Sequence, residues 1–160
     1  MKVEILSGLW ISSFSELNKT NIIINKNINH IINCSSTNID NYISKLNEKY
    51  NNSIKNTYLP IKDTLEKVKS NSLLLVDNMN DITNIIYKTL HENKNILIMC
   101  DSGTQTSLTI AICYLIRFGK IDIDYARNAL YNKCELLDYT RNRYNYSIKQ
   151  YYINLKNNSN

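Results

Sequence analysis

The sequence predicts an α/β sandwich formed by one domain. Short apolar runs of strand length come early in the chain, at Val3–Leu6, Leu9–Ile11 and His30–Cys34. Stretches with apolar residues about every 3.6 positions come late. One such stripe, over 73–91, stands between two strand-like runs, which fits a parallel crossover with a helix packed on the sheet.

Taken in order, Val3–Leu6 is a strand stopped by Ser7-Gly8, and Leu9–Ile11 is a second strand. Ser12 or Ser13 is placed to cap a short helix around 14–18. His30–Cys34 is a buried strand, followed by the polar loop 35–38. Ile39, Ile43 and Leu46 are spaced for a helix over 39–50. Residues 47–56 are polar and read as surface loop. Thr57–Ile61 is a strand ending near the only proline, with a loop over 62–66. Leu74, Leu75, Met79, Ile82, Ile85, Ile86 and Leu90 then form one stripe, which predicts a helix over 73–91. Asn95–Met99 is a buried strand. Residues 107–118 are apolar nearly all round, so that helix should be buried, with Gly119 as its C-cap. Asp122 or Asp124 opens another helix through Tyr131. A last helix runs from Thr140 or Arg141 to about Leu155. One domain is expected over 1–156, with a frayed tail at 157–160.

The 160 residues suffice for one sizeable core, and 43% apolar content is globular rather than disordered. The net charge of +5 comes from scattered Lys and Arg. That is a solvated surface, so no nucleic-acid partner is expected, although a mild positive field favours acidic partners. No apolar run is long enough to span a bilayer, and Met1-Lys2-Val3 opens no signal-peptide pattern. Cys34, Cys100, Cys113 and Cys134 have neither C-x-x-C nor zinc spacing. No metal, cofactor or membrane is therefore expected, and an intracellular, cytoplasmic setting follows. The excess of Asn, Ile, Lys and Tyr fits an AT-rich coding genome, such as a viral or protozoan one.

The candidate site is Cys100-Asp101-Ser102-Gly103-Thr104-Gln105-Thr106-Ser107, a tight polar loop between a buried strand and a helix. Free backbone N–H groups and the helix dipole make such a loop an anion site. The same field favours the thiolate of a cysteine placed there. The loop resembles the signature of cysteine-dependent protein phosphatases, H-C-x-x-x-x-x-R-[S/T]. Cys100 falls on the nucleophile, Gly103 on the loop glycine and Ser107 on the terminal hydroxyl. Met99 replaces the His and Thr106 replaces the Arg.

Other segments resemble the dual-specificity members of that family in the same order. Ile5–Ile11 is similar to I-x-x-G-L-Y-L-G, His30–Cys34 to T-H-V-L-N, and Tyr58–Asp63 to Y-x-x-I-P-x-x-D. Ile112–Ile116 is similar to A-Y-L-M. The compact size resembles the small poxvirus-like and atypical type. The resemblance implies a central mixed sheet of about five strands flanked by helices.

It also implies a mechanism in which Cys100 attacks phosphorus and forms a phosphocysteine. Asp63 would serve as general acid, and Ser107 would help the thiolate leave. Asp101, just inside the loop, repels a phosphate unless it points outward. Met99 packs but donates no hydrogen bond. Thr106 supplies one neutral donor where Arg would grip two phosphate oxygens. Two lost charge-assisted bonds, at roughly 1.5–3 kcal/mol each, amount to about a hundredfold to ten-thousandfold in rate. Arg117 is about 16 Å along the helix, too far to substitute, which leaves a basic residue from another segment as the open alternative.

The resulting expectation is a catalytically impaired, pseudophosphatase-like domain that binds phosphoprotein or other protein partners. The alternative is an active but slow Cys100-dependent phosphatase. A further expectation is a homodimer using the tyrosines of 144–152, unless those side chains are the inner face of the terminal helix.

Overall fold

The computed structural model describes residues 2–62, 64–133 and 142–158. It contains β1 (Lys2–Leu6), β2 (Leu9–Ser13), α1 (Phe14–Thr20), α2 (Ile22–Asn25), β3 (Ile28–Asn33), α3 (Asp40–Tyr50) and β4 (Lys55–Tyr58). A single 3-10 turn, Leu65–Lys67, leads into α4 (Val68–His91). Then come β5 (Asn95–Cys100), α5 (Thr106–Gly119), α6 (Ile123–Tyr131) and α7 (Asn145–Asn157).

The strands form one mixed five-stranded sheet in the order β1-β2-β5-β3-β4. β1 and β2 are antiparallel, joined by a turn in which Gly8 has φ +81°. The other neighbours are parallel. β3–α3–β4 and β4–α4–β5 are both crossovers, one more than the stripe at 73–91 alone indicated.

β5 is covered on both faces, so its sequence is continuously apolar and its side chains divide by period two. Ile96, Ile98 and Cys100 join the core under α4, α5 and α7, with Leu75, Met79, Ile112 and Ile148. Leu97 and Met99 join the opposite core, with Leu17, Ile22, Ile31 and Ile43. Cys100 and Met99 therefore point to opposite sides of the sheet. The inward residues of α5 run without a break from Thr106 to Ile116, as its apolar sequence requires.

Several boundaries differ from the sequence reading, each for a physical reason. β4 begins at Lys55, not Thr57. Its pairing with β3 recruits polar residues at the sheet edge, while Leu59 and Ile61 are core residues beyond the ladder. The loop before it shrinks to 51–54, because α3 ends on Asn51 in the left-handed region, φ 51°. α4 starts at Val68 because Asn71 and Ser72 are buried by polar contacts: Asn71 Nδ2 donates to Lys62 O and Tyr144 Oη, and Ser147 Oγ donates to Ser72 O. Ser13 precedes α1 but makes no side-chain cap bond. Gly119 is the last helical residue of α5, and Lys120 takes the left-handed position at φ 52°. α7 starts at Asn145, and Thr140 and Arg141 lie outside the described residues, as does Cys134. Asp122 caps α6 as expected, its Oδ1 accepting from Tyr125 N at 2.9 Å.

Tyr144 and Tyr151 are wholly buried, and Tyr151 Oη donates to Asn80 Oδ1. Tyr151 is on the inner face of α7 and Tyr144 caps its start, whereas Tyr146 is 56% exposed. Among the described residues no helix is long and apolar enough to cross a membrane.

Candidate active site

The site lies at the carboxyl end of the parallel strands, where β2, β3 and β5 finish side by side at Ser13, Asn33 and Cys100. Open α/β sheets place ligands at this edge. Cys100 is the last residue of β5, and α5 starts six residues later at Thr106. The return is sharp enough to need Gly103 at φ +76°. A Cβ there would stand 2.7 Å from Ser13 N and 3.0 Å from Ser12 C, so the loop backbone presses on the end of β2.

Cys100 is 1% exposed and held from two directions. Its Sγ accepts from Gly103 N at 3.1 Å, and its thiol donates to Ser107 Oγ at 3.3 Å. Loss of the thiol proton reverses the second bond, making the Ser107 hydroxyl a donor to the thiolate. Ser107 is the second residue of α5, with Gln105 before the first turn, so it is not the N-cap.

The remaining loop residues bind the protein itself. Ser102 Oγ accepts from Thr104 N at 3.2 Å and from Thr104 Oγ1 at 3.1 Å. Asp101 turns to the loop after β3, where its Oδ1 accepts from Ser36 N at 3.1 Å and Ser36 Oγ at 3.3 Å. Thr106 is wholly buried, and its Oγ1 has no hydrogen-bond partner among the described residues. Residues 101–106 contain no cationic side chain. Arg117, at the far end of α5, donates to Asn80 O and Thr83 Oγ1, both at 2.8 Å. Asp63 lies outside the described residues. Its neighbours Ile61 and Lys62 are fixed, one in the core and the other by Asn71.

Two supports were missed in the sequence. Wholly buried Asn33 organises the β3 end: its Oδ1 accepts from Ser35 N and Oγ, and its Nδ2 donates to Thr37 O. The segment before α7 closes the other side. Asn142 Oδ1 accepts from Thr109 Oγ1 and Tyr144 N, and Arg143 N donates to Gln105 Oε1 at 2.9 Å. The available signal was an Asn beside a polar turn, too common to single out. Cys34, just past the end of β3, lies near Cys100, with its N–H donating to Met99 O at 2.7 Å. Burial, then the neighbouring Cys100, pushes the Cys34 thiol well up, so it stays protonated. No three His, Cys, Asp or Glu side chains among the described residues are grouped to hold a metal ion.

A family model described as dual specificity phosphatase, catalytic domain, matches residues 9–153. No curated protein gives a significant sequence match. Several solved structures share the fold. A leucine rich repeat and phosphatase domain containing protein from Entamoeba histolytica superposes with a TM-score of 0.74 at 16% identity, covering 99% of this chain and 95% of that one. Human DUSP28 gives 0.74 at 11%, covering 97% and 95%. A human tyrosine phosphatase-like serine/threonine/tyrosine-interacting protein gives 0.70 at 15%, covering 94% of each chain.

Proposed function

The chain belongs to the dual specificity phosphatase catalytic-domain family, and we propose that it is a member with impaired turnover that acts by holding phosphorylated or other protein partners. The observation that carries this reading is Thr106. The position that would supply the phosphate clamp holds a buried, uncharged side chain, and no other residue of 101–106 is cationic. A phosphoryl group entering the loop meets backbone donors and the positive end of α5. Within residues 101–106 it meets no bidentate partner to follow its charge into the transition state. The Ser102–Thr104 bonds also occupy one loop N–H that an anion would need. The same fold serves a human protein described as tyrosine phosphatase-like and serine/threonine/tyrosine-interacting, which supports a binding role for such a scaffold.

A second reading, a slow phosphatase, is favoured by the contacts of Cys100. Gly103 N and Ser107 Oγ hydrogen-bond the Cys100 Sγ, contacts that would steady a thiolate and help release it from a phosphocysteine. The experiment that decides between the readings is hydrolysis of a small aryl phosphate by the wild type beside Cys100→Ser. We expect no difference between them. Turnover that disappears with Cys100→Ser would establish the slow phosphatase instead.

A further inference from the structure

We infer that the groove between the end of α5, the start of α6 and the last turns of α7 is a docking site for an acidic peptide segment with apolar anchors. The groove encloses about 570 Å³. Its floor is apolar, made of Ile116, Ile121, Tyr152 and Leu155. Its rim is cationic, with Arg117, Lys120 and Lys156. Among the described residues Asp122 is the one carboxylate in the lining, and it caps α6 through Tyr125 N.

Two of the cations are held in place before any ligand arrives. Arg117 is tied to Asn80 O and Thr83 Oγ1, and its guanidinium lies 5.0 Å from the Phe118 ring. Lys156 Nζ sits 5.3 Å from the Tyr152 ring. Such fixing lowers the ordering cost of binding. Lys120 adds a separate argument. It occupies the left-handed region at φ 52°, where glycine is the cheaper residue, while Gly119 beside it stays in the helix. The chain accepts that strain and keeps a cation at the rim, the kind of outlier that marks functional positions.

An apolar floor under a positive rim is complementary to alternating apolar and acidic side chains. The groove lies at the opposite end of α5 from Thr106, about 16 Å along the axis. Docking there is therefore independent of whether the loop turns over a phosphate.

The test uses the full chain and a short fluorescent peptide alternating Glu and Leu. A copy with Lys for Glu, and vesicles containing phosphatidylserine, serve as comparators. The Glu/Leu probe is expected to bind, to weaken with salt, and to shift the amide resonances of Ile121 and Leu155 but not of Gly103. Lys120→Gly should keep or raise the thermal midpoint, because glycine suits that backbone. It should still weaken the probe roughly twofold to fivefold, and adding Lys156→Ala should bring the loss to about tenfold. The inference is overturned if the Glu/Leu probe does not bind, or binds no better than the Lys/Leu copy. It is equally overturned if the variants leave its affinity unchanged, if only the vesicles bind, or if the groove is closed by self-association at the concentrations used.

Discussion

Gly103 and Thr106 constrain the same loop in opposite ways. Gly103 has no room for a side chain and a backbone that L-residues avoid. Gly103→Ala is expected to cost about 1–3 kcal/mol, read as a lowered urea midpoint. A midpoint equal to the wild type would contradict the packing of the loop on Ser13. Thr106 buries a hydroxyl with no partner among the described residues, which is costly in a dry site. Thr106→Val removes that oxygen at nearly the same shape, and should stabilise the fold by about 1 kcal/mol. Thermal melts of the two proteins check this. His30 sets a pH dependence. Burial, then the charge of Lys55, holds its pKa below the ordinary 6.5. The unfolded chain therefore takes up this proton more readily than the folded one. The His30 contribution is complete above 6.5 and is lost as pH falls through 6.5 toward the lowered folded value. Melts between about pH 7 and pH 5 should show His30→Gln losing less stability than the wild type. Equal losses would remove His30 from the account.

Among the elements, α7 shows what the sequence could and could not reveal. Its tyrosines were open to two readings, and burial of Tyr144 and Tyr151 places them against α4. Tyr151→Phe loses the bonds with Asn80 and Thr83 and should cost about 1–2 kcal/mol by chemical denaturation. No change would mean that the hydroxyl is dispensable to docking. The central strand and α5 were legible because burial writes period-two and period-3.6 patterns directly into the residues. β4 and the first turn of α4 were not, because Lys55, Asn56, Asn71 and Ser72 are held by ladder pairing and side-chain bonds that leave no apolar pattern. The same division runs through the site. Cys100, Gly103 and Ser107 stand in one short stretch and could be read together. Ser36 with Asp101, and Asn142 and Arg143 with Gln105, join segments far apart in sequence and needed the fold.

At the scale of the whole molecule, the sheet brings three strand ends and the start of a buried helix to one edge. That arrangement is the scaffold of the dual specificity phosphatase family, with no cationic side chain in residues 101–106. The family match covers residues 9–153, so the altered loop lies inside the matched domain. On the proposed reading, Thr106 is the position that most limits turnover on this scaffold. The most direct measurement is the aryl phosphate hydrolysis rate of Thr106→Arg, alone and with Met99→His, beside the wild type. Met99 lies in the opposite core, so most of the recovery is expected from Arg at position 106. The expected rise is roughly a hundredfold to ten-thousandfold and is abolished by adding Cys100→Ser. A correctly folded double variant with no gain over the wild type would contradict it, because the missing clamp would then not be what limits the site.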